Sequence, residues 1–145
     1  MREKVRFEDG LAYQVQFTAR LLRKHFLDLA AAEGLELTPE QWVVLNKLTW
    51  RGQCTLSELV PGALADRPNV SRIVEGLVKR GLVARRADEH DGRKVRLCLT
   101  KQGQQVHDRF EALVPKARKQ LMRGLTEDEL VVAMRVLGRL AQNLE

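Results

Sequence analysis

The sequence predicts an α+β fold that is mostly helical and carries a small β-hairpin. Apolar residues recur at helical spacing over most of the 145 residues, and Thr, Asp, Pro and Gly stand where helices should begin and end. In one stretch, "LVARRADEHDGRKVRLCLT", the apolar period changes to two on either side of a polar turn. The length and a hydrophobic content of 44% fit one domain with a real core.

The first two predicted helices have clear ends. A long apolar stripe stops before Gly34, a residue type that favours the left-handed conformation after a helix. In "LTPEQWVVLNKLTWRG", Thr38 is the N-cap, Pro39 the first helical residue and Gln41 the capping-box partner, with Gly52 after the end. The stripe of the first helix consists of Leu11, Val15, Leu22, Phe26 and Leu29.

The next two helices should differ in length. "TLSE" repeats the capping pattern with Thr55 and Glu58, but Pro61 follows within two turns. Because proline removes an amide donor and crowds the preceding carbonyl, we expect a short or distorted third helix. The fourth helix starts at the N-cap Asp66 and ends before Gly81. It should bury Val70, Ile73, Val74 and Leu77.

The turn "DEHDG" between the two predicted strands has two interpretations. Its side chains are of metal-ligating types, but neighbouring residues of one turn rarely aim at a single point. The glycine and the flanking bases favour ordinary turn chemistry with paired acids. We therefore predict a charged turn and no metal site. The acids are Asp88, Glu89 and Asp91 beside His90, and the candidate partners are Arg85, Arg86 and Arg93.

Two further helices are predicted after the hairpin. Thr100 is a candidate cap for a fifth helix, which Pro115 should bend. Thr126 and Glu129 form a capping box for the last helix. The apolar stripes are Val106, Phe110, Leu113, Ala117 and Leu121 in the fifth helix, and Leu130, Met134, Leu137, Ala141 and Leu144 in the last.

Positive charge is concentrated in one quarter of the chain. The net charge is +6, and residues 66–101 contain ten bases against five acids. Such a segment favours an anionic partner, either nucleic acid or an anionic membrane surface. The N-terminal "MREKVRFEDG" lacks the apolar region of a signal peptide, and no apolar run approaches the ~18 residues of a membrane span. We expect a cytoplasmic protein that does not bind membranes.

The order of short helix, turn, helix and basic hairpin is that of a winged helix-turn-helix, which suits double-stranded DNA. The start of the fourth helix fits the major groove, and the hairpin tip fits a narrow A·T-rich minor groove. The alternative is a solvated surface without a ligand. The candidate DNA-binding residues are Arg67, Asn69, Ser71 and Arg72 on the helix, and Arg86, Asp91, Arg93 and Lys94 on the hairpin.

The same segment resembles the MarR family of bacterial transcription regulators. "TLSEL", "RPNVSRIVEGLVKRGLVARR", "DEHDGR" and "LCLTKQG" follow the family pattern in order, with Asp88, Asp91 and Arg93 matching its D-x-x-D-x-R wing motif. The resemblance covers nearly the whole chain. It implies that Arg93 enters the minor groove while Asp91 helps to hold the wing arginines. "PG" at positions 61–62 departs from the pattern and leaves the geometry of the third helix open.

The resemblance also implies a domain organisation and a mode of action. A single domain, 1–145, would contain a DNA-binding lobe at about 35–103 and dimerisation helices at about 5–33 and 104–145, whose apolar stripes exceed the needs of one lobe. We expect a homodimeric repressor on a pseudo-palindromic operator, released by a small aromatic or phenolic effector. The candidate effector residues are Tyr13, Phe17, Arg20, His25, Trp42 and Trp50.

Other function classes have less support in the sequence. Two alternatives stay open, namely a winged helix that binds an acidic protein and a DNA-binding protein without an effector. The chain has no paired-carboxylate, nucleophile-elbow or phosphate-loop motif, so we expect neither an enzyme nor a cofactor. Cys54 and Cys98 form no CxxC motif and should be ordinary buried thiols.

Overall fold

The computed structural model describes residues 6–145 and is mostly helical with a small antiparallel sheet, as the sequence predicts. Position 5, where the first dimerisation segment was expected to begin, lies outside the described residues. A short 3-10 turn, Phe7–Asp9, precedes the first helix. The elements are α1 (Leu11–Ala32), α2 (Pro39–Arg51), β1 (Gln53–Cys54), α3 (Leu56–Leu59), α4 (Arg67–Lys79), β2 (Val83–Ala87), β3 (Val95–Leu99), α5 (Lys101–Glu111), α6 (Val114–Leu121) and α7 (Glu127–Leu144).

The predicted helix starts are confirmed. The Thr38 hydroxyl accepts a hydrogen bond from the Gln41 amide at 3.2 Å, and the Gln41 side chain accepts one from the Thr38 amide at 3.0 Å. Thr55 and Thr126 begin α3 and α7 with the same reciprocal box. These contacts satisfy amides that have no partner inside the first turn of a helix, which is why the sequence marks them so clearly.

Helix α3 is short because Pro61 and Gly62 end it, with Gly62 in the left-handed region at φ 75°. Lys47, on α2, donates to the carbonyl of Leu59 at 3.4 Å and to that of Pro61. An ammonium group at a helix C-terminus satisfies free carbonyls and favours the negative end of the helix dipole. The departure at positions 61–62 therefore shortens one helix and leaves the lobe intact.

The predicted fifth helix is interrupted. Instead of one bent helix, α5 ends at Glu111 and α6 begins at Val114. Pro115 lies in the first turn of α6. It has no amide hydrogen to donate to the carbonyl of Glu111, and its ring crowds that carbonyl, so the helix stops and restarts.

The sheet contains one strand more than the predicted hairpin. Its order is β1-β3-β2, and β1 pairs with β3 in the register Gln53 to Cys98 and Cys54 to Leu97. Two residues are too few to show an alternating pattern, so the sequence gives no indication of β1. Because paired residues share a sheet face, Cys54 and Cys98 lie on opposite faces. Both are buried free thiols, as predicted.

The chain divides into two compact units, one ending at Ala112 and the other spanning Leu113–Glu145. The break follows α5, which belongs to the core of the first unit. Its Phe110 ring lies 4.3 Å from that of Phe26 and 4.8 Å from that of Trp42, centroid to centroid. The buried apolar side chains of this core include Leu45, Leu48, Leu59, Val70, Leu77, Val83 and Leu97.

The second unit consists of α6 and α7, and much of its apolar surface is exposed. Helix α7 leaves Val131 and Met134 at 67% and 72% exposure. Within residues 6–145, none of the helices has the length and hydropathy of a membrane span.

Candidate nucleic-acid interface

Helix α4 has one buried face and one exposed face. Val70, Val74 and Leu77 are buried, whereas Ile73 is only half-buried. The Asp66 carboxylate caps the helix by accepting from the Asn69 amide at 3.1 Å. The predicted base-reading residues all face solvent at the N-terminal end of the helix, namely Arg67, Asn69, Ser71 and Arg72.

These four side chains are not equally free. The Arg67 guanidinium donates to the Ser57 hydroxyl at 3.2 Å, which joins the start of α4 to α3. Across residues 6–145, the side chains of Asn69, Ser71 and Arg72 take part in no intramolecular hydrogen bond or ion pair that the structure records. The exposed end of α4 therefore presents one side-chain amide, one hydroxyl and one guanidinium group to a partner.

The wing consists of β2, β3 and the turn between them, and one buried carboxylate organises it. Asp88 Oδ1 accepts from the backbone amides of His90 at 2.8 Å and Asp91 at 3.2 Å. Its Oδ2 accepts from Arg96 Nε at 2.6 Å. The Asp88 side chain is only 6% exposed. The three donors satisfy a group that would otherwise be costly to bury.

This arrangement shifts the ionisation of Asp88. The hydrogen bond from the Arg96 guanidinium, followed by those from the His90 and Asp91 amides, lowers the pKa of Asp88 from 3.8 to about 2. The same contact raises the pKa of Arg96. The wing therefore contains a permanently charged pair at neutral pH.

The partner of Asp88 differs from the sequence-based expectation. Arg96 was not among the three candidate arginines, because pairing was sought near the turn and Arg96 lies eight positions along the chain. The signal that could have identified this partner is the position of Arg96 among the apolar residues of β3, where burying an unpaired charge is costly. Arg96 also approaches Glu58 of α3, with Nη1 and Oε2 4.0 Å apart.

Asp91 contacts the basic tip of the wing through the backbone. Its carboxylate accepts from the backbone amide of Arg93 at 3.1 Å, and its carbonyl accepts from the Lys94 amide at 3.0 Å. Asp91 therefore shapes the turn through the backbone, and the Arg93 and Lys94 side chains are exposed at the tip.

The wing and α4 lie side by side. A cleft of about 180 Å³ is lined by Ser71 and Val74 of α4, by Leu56 of α3 and by the wing. On the wing, Arg85 and Leu97 are paired across the strands and face this cleft. Arg86 is paired with Arg96 on the opposite sheet face and is exposed. The basic residues of 66–101 are thus carried by adjacent elements of one lobe.

The predicted effector residues are divided among different surroundings. Tyr13 and Phe17 stack at 5.9 Å, and the Arg20 guanidinium lies 5.2 Å from the Phe17 ring centroid, on α1. Trp42 instead packs in the α2–α5 core, and Trp50 is 78% exposed at the end of α2. His25 is half-buried on α1. Within one chain, the structure therefore brings Tyr13, Phe17 and Arg20 together on α1 and places Trp42 and Trp50 on α2.

Comparisons with known proteins place this geometry in context. The sequence model of the MarR family matches residues 37–95, which run from the start of α2 to the start of β3. A probable transcriptional regulator from Pseudomonas aeruginosa is 30% identical, with 90% of this chain and 99% of that chain covered and a TM-score of 0.71.

Two further solved structures share the fold. The PcaV transcriptional regulator from Streptomyces coelicolor, in complex with its natural ligand, is 26% identical over 99% of both chains, with a TM-score of 0.80. A MarR protein from Escherichia coli, complexed with operator DNA, is 22% identical over 90% of this chain and 92% of that chain, with a TM-score of 0.79. The family match across the helix-turn-helix and wing agrees with these full-length similarities, and the chain belongs to the MarR family of transcriptional regulators.

Proposed function

We propose that this regulator binds double-stranded DNA sequence-specifically through α4 and the wing. The observation that carries the proposal is the exposed, uncommitted set of Asn69, Ser71 and Arg72 at the N-terminal end of α4, beside a basic wing. Side-chain amides, hydroxyls and guanidinium groups read base edges in the major groove. In helix-turn-helix proteins, the N-terminal residues of this helix are the ones that contact base edges.

Arg93 and Lys94 have separate roles in this proposal. Arg93 at the wing tip enters the minor groove, where narrow A·T-rich segments concentrate negative potential. Lys94 contributes a phosphate contact, together with Arg86 on the outer sheet face. The Asp88–Arg96 pair keeps the turn in one shape, so DNA binding need not order the backbone that carries Arg93.

The proposed active form is a homodimer on a pseudo-palindromic operator. Helix α7 exposes apolar side chains that a two-fold partner would bury, Val131, Val132, Met134, Val136 and Leu137. Helix α1 exposes Leu11, Phe17, Leu21 and Leu22. Two copies of α4 would then meet successive major grooves ~34 Å apart. With DNA as its partner, the protein acts in the cytoplasm and needs no catalysis or cofactor.

We further propose repression that a small aromatic or phenolic effector relieves. A cleft of about 460 Å³ between the start of α2 and α4 is lined by Gln41, Leu64, Asn69, Arg72 and Ile73, among others. This size suits a small organic ligand, to which Leu64, Ala65 and Ile73 offer apolar contacts and five polar side chains, including Glu40 and Arg72, offer hydrogen bonds. Because Asn69 and Arg72 line the cleft and also belong to the proposed reading face, a ligand there would compete with operator DNA.

The test is a binding measurement on operator DNA selected from a randomised duplex pool with the purified protein. Fluorescence anisotropy at two salt concentrations should show binding tighter than ~10⁻⁷ M that survives an unrelated competitor duplex and weakens steeply with salt. Arg93→Ala should weaken binding by ~1–3 kcal/mol, and most on sites with A·T-rich flanks. Lys94→Ala should weaken binding evenly across sequences and reduce the salt slope by ~1.

A matched control removes an exposed arginine outside the lobe. Arg118→Ala, on α6, should leave operator affinity within twofold of the original protein, which separates a specific loss from a general loss of charge. Equal and weak binding to selected and unrelated duplexes would contradict the proposal. It would favour the alternative of a winged helix that binds an acidic protein.

A further inference from the structure

His107 occupies an unusual environment on α5. Its side chain is fully buried, and its ring stacks on Trp42 with centroids 4.7 Å apart and an interplanar angle of 13°. Two carboxylates of the same helix approach one side of the ring. The Nδ1 atom lies 3.1 Å from an oxygen of Asp108 and 3.7 Å from an oxygen of Glu111.

The other ring nitrogen has a defined partner. His107 Nε2 lies 3.1 Å from the Asn46 side-chain oxygen on α2. An amide oxygen only accepts hydrogen bonds, so it favours the tautomer that carries the ring proton on Nε2. In that tautomer the lone pair of Nδ1 faces the two carboxylate oxygens, of which Asp108 Oδ1 also accepts from Gln104 Nε2 at 2.8 Å. A cation placed between Nδ1 and the two carboxylates would be stabilised by all three groups.

We propose that His107 Nδ1, Asp108 and Glu111 form a binding site for a divalent transition-metal ion, for which Zn²⁺ is the best match. The three ligand atoms lie within 4.8 Å of one another. Tetrahedral zinc with bonds of ~2.0–2.1 Å places neighbouring ligands ~3.4 Å apart, and the two Nδ1 to oxygen distances lie on either side of this value.

The surroundings fit a bound metal as well as the ligands do. A histidine that binds a metal usually donates its second N–H to an oxygen, and here Asn46 provides that oxygen. The Asp108 and Glu111 side chains are 61% and 54% exposed, so an ion has access from solvent and can keep a water as fourth ligand. Asp108 and Glu111 follow His107 by one and four positions, and no second histidine accompanies them. The cluster therefore matches no familiar zinc motif.

The experiment uses tag-free, full-length protein. The chain has two tryptophans, and the substitution Trp50→Phe leaves Trp42 as the only one. Protein treated with EDTA and dialysed is titrated with Co²⁺, and bound Co²⁺ is then displaced with Zn²⁺. We expect one ion per chain, a saturable decrease of Trp42 emission and a visible absorption spectrum of Co²⁺ with nitrogen and oxygen ligands. Zinc should also move the ¹⁵N resonance of His107 Nδ1 and leave that of Nε2 protonated.

Exposed ligands provide variants that should fold normally. Asp108→Asn and Glu111→Gln should each weaken Co²⁺ binding at least ~10-fold, and Asn46→Ala, which removes the orienting oxygen, should weaken it ~10-fold. Glu75→Gln removes an exposed carboxylate of α4 and should change nothing.

Two results would overturn the proposal, whatever the protein does with DNA. One is Co²⁺ binding that is absent, non-saturable or unchanged in Asp108→Asn and Glu111→Gln. The other is a His107 ring that is protonated on both nitrogens at pH 7 and unaffected by Zn²⁺, since the positive charge between the three groups would then be a proton.

Discussion

Gly103→Ala should destabilise the protein, although alanine normally favours a helix. Gly103 is buried in α5, and a Cβ atom added to it would lie 2.0 Å from the carbonyl oxygen of Leu82 and 2.9 Å from its carbonyl carbon. An ordinary contact requires more than 3 Å, so the two backbones must separate by over an ångström. Leu82 cannot move freely, because its amide donates to the Leu77 carbonyl at 2.9 Å and its carbonyl accepts from the Thr100 amide at 3.1 Å.

The magnitude follows from three opposing effects. Overpacking in a core costs ~1–3 kcal/mol, and disturbing a buried backbone hydrogen bond costs ~1–3 kcal/mol. Replacing glycine by alanine inside a helix gains ~1 kcal/mol. We therefore expect the free energy of unfolding to fall by ~2–4 kcal/mol, and Tm to fall by roughly 6–12 °C.

Thermal and urea unfolding followed by circular dichroism, at one fixed protein concentration, would measure this change. Gly76→Ala is the matched control, because Gly76 is inside α4 and an added Cβ would meet no atom within 4 Å. That variant should be neutral or stabilised by up to ~1 kcal/mol. A Gly103→Ala protein as stable as Gly76→Ala would refute the reasoning, since the close approach of α5 to Leu82 would then not exist.

Three further predictions concern the wing, α3 and α7. Asp88→Asn should lower the free energy of unfolding at pH 7. The pKa of Asp88 falls from 3.8 to about 2 on folding. The stability difference between the two proteins should therefore be complete above pH 3.8 and shrink as the pH falls towards 2. Acid titration of the unfolding free energy of both proteins would measure it, and a gap that stays constant down to pH 2 would contradict it. Lys47→Met should cost ~1 kcal/mol in urea unfolding by removing the donor to the last carbonyls of α3, whereas Lys24→Met, at an exposed ion pair, should cost less than ~0.5 kcal/mol. Met134→Arg, at an exposed apolar position of α7, should shift the protein towards monomer in sedimentation velocity, and an unchanged dimer would remove this face from the interface.

The sequence predicts those parts of the fold that depend on neighbouring residues. Thr38, Thr55 and Thr126 cap helices through atoms three residues away, and such contacts occur wherever the motif occurs. The exposed face of α4 follows from helical periodicity in the same way, so the candidate base-reading residues could be named in advance.

The features that sequence reasoning missed depend on residues far apart in the chain or on very short elements. Strand β1 exists only because β3 offers it partners far along the chain, Cys98 for Gln53 and Leu97 for Cys54. The Asp88–Arg96 pair requires the hairpin register, which turn residues alone do not specify. The surroundings of His107 combine α2 and α5, since Asn46 lies 61 positions away.

The free side chains at the start of α4 have a practical consequence. Stability resides in Val70, Val74 and Leu77 on the inner face and in the Asp66 cap, whereas the outward groups at positions 69, 71 and 72 support no other part of the lobe. Surface substitutions without structural partners usually change stability by less than ~0.5 kcal/mol. The lobe is therefore a scaffold on which libraries at these three positions can be screened for new operator preferences, with folding preserved in most members.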